Sequence, residues 1–350
     1  MQYQKIVNSK GEMVEAPALL NERELSVTER LSNALTNDFG YSVDITTLTA
    51  VLRTVSEQKF YQIPFAEYMP VRVDTNAAWA EDLLAFRSFV VGGDFEKGYV
   101  KSGEEVRLAS TDAAIDSVRV PIRTWAKELS WAIPQIGEAS RTGVWDIISA
   151  KEKSRKMNWD LGLQKVSFLG SSDGTMTGAL NMGGVTINTT IITKSISSMT
   201  YTELNALPGA MLAAYQTNSN YTAYPDFLWV PQSDYNSLAT YDTEYRNLTK
   251  LQVLENAFRT TTRNPNFQIL PLAYASATMS DGRLTKDRYV LGRYDEDSFR
   301  FEIPVDYTVT VANTIEGWTF RNVGFGQHSS VLCLRPQEFL YMDLTAAEGE

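Results

Sequence analysis

Cys333 and His328 are the only cysteine and the only histidine in the chain of 350 residues, and they limit its chemistry sharply. One cysteine excludes a disulfide within the chain. A Cys/His zinc site needs three or four such ligands together, so it is excluded too. Cys333 lies in VLCLRP between apolar neighbours and reads as a small buried hydrophobe. His328 lies in GFGQHSS, a predicted turn, and any Ser-His-Asp or Cys-His mechanism would have to use it. No G-x-S-x-G elbow accompanies it. Asp295, Glu296 and Asp297 form one carboxylate run and Glu104 and Glu105 another. Such groups can serve acid/base work or hold a hard cation; the alternative is a solvated loop. The Gly-rich stretch GSSDGTMTG, residues 170–178, follows a helical pattern. A phosphate cradle precedes its helix, so this stretch reads as a connector. Neither a Walker A sequence nor a G-x-G-x-x-G turn occurs. These residues predict no catalytic, cofactor or metal site.

The remaining candidates are cations. Arg87, Lys97, Lys101, Arg119 and Arg123 fall within residues 82–128, which read as a long β-hairpin with a charged, Gly-rich middle. Val118, Val120 and Ile122 alternate with Arg119, Pro121 and Arg123, giving one apolar and one basic face. Pro121 predicts an edge strand. A two-stranded ribbon is marginal in water, so it must lie on something. One reading pairs its cations with acidic surface on a neighbouring subunit; the other is a solvated face.

Around the ribbon the elements are regular. Residues 1–40 are polar, with an amphipathic helix predicted near Ser26–Leu35. Residues 141–168 predict one long helix, about 26 residues and roughly 39 Å, with Ile147, Ala150, Ser154, Met157, Leu161 and Phe168 on one face. GGVTINTTIITKSIS reads as a strand or strand pair. Residues 199–295 read as a compact α/β unit. Phe299, Phe301, Ile303, Val305, Tyr307, Val309 and Val311 alternate along a single long strand at 299–311. GWTFRNVGF reads as a second strand, GQHSS as a turn, and VLCLRPQEFLYMD as a last strand. The whole is an α+β chain.

Composition bounds partners. The net charge is −10 and the pI about 4.9, which disfavours tight, sequence-reading DNA binding. No run of 18 apolar residues predicts a membrane span. The polar start MQYQKIVNSKGEMVE lacks a signal-peptide core, so synthesis in the cytoplasm is expected.

The order of elements resembles the major capsid protein of tailed bacteriophages, the Hong Kong 97-like fold. The likeness is carried by IPQIGEASRTGVWDIISAKEKSRKMNWDLGLQKVSFLGSSDGTMTGALN at 133–181 and by the closing FRFEIPVDYTVTVANTIEGWTFRNVGFGQHSSVLCLRPQEFLYM. In that family a helix ends in F-x-G and is followed by G-L-L-N; Phe168-Leu-Gly170 and Gly178-Ala-Leu-Asn181 stand in those places. The family's closing pattern around a proline is matched from Val331 to Tyr341, with Pro336 at its centre. The resemblance implies an N-terminal arm at 1–60 and an extended loop at 82–128 lying on a neighbouring subunit. It implies a peripheral domain at 129–198 and 299–330, with spine helix 141–168 packed on the returning strands. An axial domain would span 199–298 and 331–343, and 326–330 would meet two other capsomers. It further implies hexamers and pentamers closing into an icosahedral shell around viral double-stranded DNA, touched weakly and non-specifically. A separate scaffolding protein, a portal and decoration proteins would be partners. No Glu lies within 325–335, so the Lys–Asn cross-link of some members is not carried over. An encapsulin-like nanocompartment shell and a carboxylate enzyme built on Asp295–Asp297 are the alternatives.

Overall fold

The computed structural model describes residues 3–7, 13–17, 59–91, 112–135, 147–240, 248–315 and 317–345. The helix expected near Ser26–Leu35, the start of the spine helix before 147, Lys97, Lys101, Glu104 and Glu105 lie outside these residues. Two compact units are present: Met1–Tyr61 with Lys127–Asn158 and Val309–Gly324, and Gln62–Ala126 with Trp159–Thr308 and Phe325–Glu350.

The second unit is built on a five-stranded sheet. Its strands are β6 (Thr186–Asn188), β7 (Phe227–Pro231), β8 (Gln268–Leu272), β9 (Arg288–Gly292) and β15 (Phe339–Asp343), in the order β6-β15-β9-β7-β8. β7 and β9 are buried at every position, because both faces are covered. Leu228, Val230, Tyr289, Leu291, Leu340 and Met342 face one cluster with α3 (Tyr201–Asn218) and α5 (Lys250–Thr262). Phe227, Trp229, Val290, Phe339 and Tyr341 face the other, with Phe168 and Leu169. Tyr215, Tyr289 and Tyr341 hydroxyls in these clusters all carry pKa values raised by burial, and each is hydrogen-bonded. The alternation explains why FLWVP and FLYMD read as unbroken apolar runs. GGVTINTTIITKSIS contributes β6 alone.

The spine helix, α2, runs Ile147–Leu169. Its end is closed by the GALN segment. Gly170 takes φ +77°, and its N–H donates to the Val166 carbonyl at 2.9 Å. Ala179 and Leu180 N–H donate to the Ser167 and Phe168 carbonyls at 2.8 and 2.9 Å. Asn181 donates its amide to the Leu169 carbonyl at 3.1 Å and accepts from Gly178 N–H at 2.6 Å. The last orphan carbonyls of the helix are thereby satisfied by the motif that follows the loop. A Cβ on Gly178 would lie 2.4 Å from the Phe168 backbone, so only glycine fits.

The buried face of α2 differs from the expected one. Arg155, Trp159, Leu163, Gln164, Ser167 and Phe168 are buried; Ser154 is exposed, and Met157 and Leu161 are half-buried. The face is rotated because it centres on Trp159, whose ring packs where Gly326 leaves no side chain; a Cβ there would meet it at 2.6 Å. Phe168 does share a core cluster with Phe299, Phe301 and Ile303, as expected of the spine.

The expected single strand at 299–311 is two strands. β10 (Phe299–Ile303) joins a three-stranded sheet with β14 (Val331–Cys333) and β3 (Val71–Val73), in the order β14-β10-β3. After Pro304 the chain changes sheets: β11 (Val305–Val309) pairs with β13 (Thr319–Ser329). Proline has no N–H for a ladder, and the break falls there. Phe299, Phe301 and Ile303 are buried, whereas Val309 and Val311 are exposed. The last strand is likewise divided, at Pro336, into β14 and β15. GQHSS is not a turn, since β13 runs through to Ser329 and Gln327, Ser329 and Ser330 are buried. Residues 326–329 are therefore the end of a strand rather than the expected turn.

Candidate subunit contact surface

β4 (Asp82–Val91) and β5 (Asp112–Ala132) form the ribbon predicted from its alternation. They pair antiparallel, residue for residue, from Asp82↔Pro121 to Val91↔Asp112. The sheet order is β11-β13-β5-β4, so β5 is internal and β4 is the edge. Pro121 therefore does not mark an edge strand as expected. It is tolerated because its C=O, not a missing N–H, is used on the side away from β4, accepting from Ser330 N–H at 3.1 Å where β13 has just ended.

The two faces of the ribbon are as the alternation predicts. Val120 and Ile122 are buried, and the Arg119 and Arg123 side chains are 71% and 55% exposed. Each described cation has a carboxylate partner in its own chain. Arg87 stands directly opposite Asp116 and donates to it through Nε and Nη2 at 2.9 and 2.6 Å. Its hydrogen bond holds the Asp116 carboxyl below its ordinary pKa. Arg119 lies 3.7 Å from Asp82, and Arg123 lies 3.9 Å from Asp173. Asp173 is held down to about 2 chiefly by the Ser171 and Thr175 hydroxyls, so the GSSDGTMTG loop folds on its own side chains. That supports the connector reading.

Sequence reasoning missed the apolar residues that share the basic face. Leu84, Phe86 and Ile115 are 47%, 67% and 73% exposed. Leu84 is registered with Arg119 and Phe86 with Ser117, which places them on that face. The signal was present as the period-2 placement of Leu84 and Phe86 in DLLAF. A cleft of about 580 Å³ adjoins the ribbon, lined by Phe86, Arg87, Asp297, Leu334, Arg335 and Glu338. Its cations and carboxylates balance, so it has no single sign to offer a charged ligand.

The other candidates are absorbed by structure. Asp295 lies 3.6 Å from Arg293 and 3.7 Å from Arg335, and its side chain accepts the Asp297 N–H. Among the described residues no group of three or more His, Cys, Asp or Glu could hold a metal. Burial pushes the Cys333 thiol up to about 12, leaving it unreactive at neutral pH. His328 sits between the rings of Trp159 and Phe301, at 6.0 and 6.2 Å, and burial lowers its pKa. Among the described residues these candidates do not bring together a nucleophile, a base and an orienting group.

A family model described as major capsid protein matches residues 99–344. The chain belongs to the major capsid protein family. Solved capsids share the fold: that of the Myoviridae phage XM1 at 14% identity, covering 87% of this chain and 99% of that one with a TM-score of 0.68. The capsid of cyanophage P-SCSP1u matches at 13% identity, covering 95% and 100%, TM-score 0.50, and a Mycobacterium phage Ogopogo chain at 14%, covering 88% and 98%, TM-score 0.51. No curated protein sequence matches. The Hong Kong 97-like fold expected from the sequence fits these neighbours, and this capsid protein has a structural role rather than an enzymatic one. Neither the nanocompartment nor the carboxylate-enzyme alternative is favoured. No described helix of the capsid protein is long and apolar enough to cross a membrane.

Proposed function

We propose that this capsid protein assembles through hexamers and pentamers into an icosahedral shell enclosing viral double-stranded DNA, and that the ribbon at 82–128 is its main contact with neighbouring subunits. The observation that carries the contact reading is the ribbon's exposed apolar and basic face, Leu84, Phe86, Ile115, Arg119 and Arg123. Arg87 fastens the two strands together, while Arg119 and Arg123 have the exposure to reach a neighbour, with Lys97 and Lys101 further along the same segment. Residues 129–198 and 299–330 form the peripheral domain and 199–298 and 331–343 the axial domain, with 1–60 as the arm. The acidic balance suits weak, non-specific contact with packaged DNA. A separate scaffolding protein, a portal and decoration proteins act with it, and assembly takes place in the host cytoplasm. The test is electron microscopy of the purified full chain, with analytical ultracentrifugation. Closed particles of regular diameter are expected; a chain that stays monomeric at every concentration and salt would refute the assembly reading.

A further inference from the structure

A cleft of about 440 Å³ opens at one end of the five-stranded sheet, where β7 and β8 begin and β9 ends. Asp226, the residue before β7, lines it. The Asp226 N–H donates to the Gly292 carbonyl at 2.8 Å, and the Asp226 carbonyl accepts from Gln268 N–H at 3.2 Å, so its backbone is held from both neighbouring strands. Its carboxylate is held as well. Asn264 Nδ2 donates to Oδ1 at 2.7 Å, and Tyr294 N–H donates to Oδ2 at 3.0 Å. A carboxylate offers about four lone-pair positions, so each oxygen has capacity for a further donor. Glu67, on the short helix Phe65–Tyr68, and Gln268 also line the cleft. Both side chains are exposed and make no hydrogen bond or ion pair among the described residues. Tyr294 adds an aromatic wall, and its hydroxyl donates to the Ala66 carbonyl at 2.8 Å, which ties it to the same short helix.

Among the described residues that line the cleft there are two carboxylates and no Lys, Arg or His. Arg293 is near enough to act on Asp226, but its guanidinium lies 3.6 Å from Asp295 and 3.7 Å from Glu338. Burial still pushes the Asp226 carboxyl above its ordinary pKa, as it does for a charge short of compensation. A hard metal cation takes about six to eight oxygens, and no group of three or more His, Cys, Asp or Glu stands here among the described residues. A guanidinium suits the set better. Its planar fork carries about five donors, enough to pair with one carboxylate and reach the other together with the Gln268 amide oxygen. Its aliphatic stem can lie along Leu270 and the Tyr294 ring. We propose that this cleft binds an alkylguanidinium group, with Asp226 and Glu67 as its acceptors. The group belongs either to a free small molecule or to an arginine of another copy of this chain. The site itself does not rest on the shell reading.

The probe is N-acetylargininamide, titrated by saturation-transfer NMR against the full chain, first as dissociated subunits and then as particles. Saturable binding to subunits is expected, tighter than that of N-acetyllysinamide, because an ammonium lacks the planar fork. Glu67→Gln should weaken it about tenfold, the loss of one charge-assisted pair. Far-UV circular dichroism and a thermal melt check the fold of that variant, which should melt as the wild type does, since Glu67 has no partner to lose among the described residues. Asp226→Asn should weaken binding further, but it also disturbs the contacts with Asn264 and Tyr294, so Glu67→Gln is the deciding variant. Particles that bind the probe as subunits do assign the site to a free guanidinium compound. Particles that exclude it assign the site to an arginine of a neighbouring copy. Subunits that show no saturable binding, equal affinity in folded Glu67→Gln, or no preference for the arginine probe over the lysine probe overturns the proposal. A wild-type chain that forms no shell overturns the shell reading and leaves the subunit titration to decide this one.

Discussion

Asn181 and His328 show how single residues act here by geometry rather than reactivity. Asn181 bridges Gly178 N–H and the Leu169 carbonyl, and so joins the loop's end to the helix's end. Asn181→Ala leaves both partners short of a hydrogen bond and should cost about 1–3 kcal/mol, read from urea midpoints. Gly178→Ala should cost more, because its Cβ meets backbone that cannot move aside. His328 gives the chain a pH dependence of known sign. Its folded pKa is depressed by burial between Trp159 and Phe301. The unfolded chain therefore binds the proton more readily, and stability is lost as pH falls through and below about 6.5. The melting temperature should drop between neutral pH and pH about 5, and His328→Phe should flatten that part of the profile. An unchanged slope in the variant would assign the effect to carboxylates instead. Composition showed that one cysteine and one histidine cannot form a disulfide within the chain or a Cys/His zinc site, but the burial that fixes the sign of the histidine's shift was not legible there.

Among elements, the spine helix shows what periodicity can and cannot say. Its existence was legible in spacing, whereas GALN was legible only as a match to the family's motif, and its closing of the helix came from the hydrogen bonds of the fold. The buried face of the helix was not legible, because the apolar positions chosen for that face omitted Trp159, and the true face includes a buried cation. Arg155 is 5% exposed and donates to the Lys127 carbonyl at 3.2 Å and to Asn322 Oδ1 at 3.0 Å, with Glu152 2.5 Å away. A guanidinium has enough donors to satisfy all three groups at once. Arg155→Met should destabilise by roughly 2–4 kcal/mol, since it orphans carbonyls on β5 and β13. Arg155→Lys should recover only part of that loss, both measured by chemical denaturation. The two prolines teach the complementary lesson. Pro304 and Pro336 sit in sequences that alternate cleanly through them, FRFEIPVDYTV and VLCLRPQEFLYMD. Period 2 survives a change of sheet, since each half still has two faces, and so alternation alone cannot register the break.

For the whole molecule, assembly is the function, and the ribbon is where a prediction belongs. Arg119→Glu with Arg123→Glu should leave the thermal melt of the dissociated subunit nearly unchanged, because exposed ion pairs contribute little to folding. The same pair of changes should reduce particle yield and make it depend on salt, as charge contacts between subunits do. Equal yields from both proteins across a salt series would remove these cations from the contact. The sequence by itself determined the α+β class, the ribbon with its apolar and basic faces, the compact α/β unit after residue 199, and the exclusion of a disulfide within the chain and of a Cys/His zinc site. These follow from residue identity and short-range period, which act within a few positions. Only the tertiary structure decided that Pro121 lies on an internal strand, that 326–329 continues strand β13 rather than turning, and that β4 is the last strand of its sheet among the described residues. Each of those depends on which segment lies alongside which, and pairing between residues as distant as Pro121 and Ser330 is set by the packing of the folded chain rather than by any local pattern.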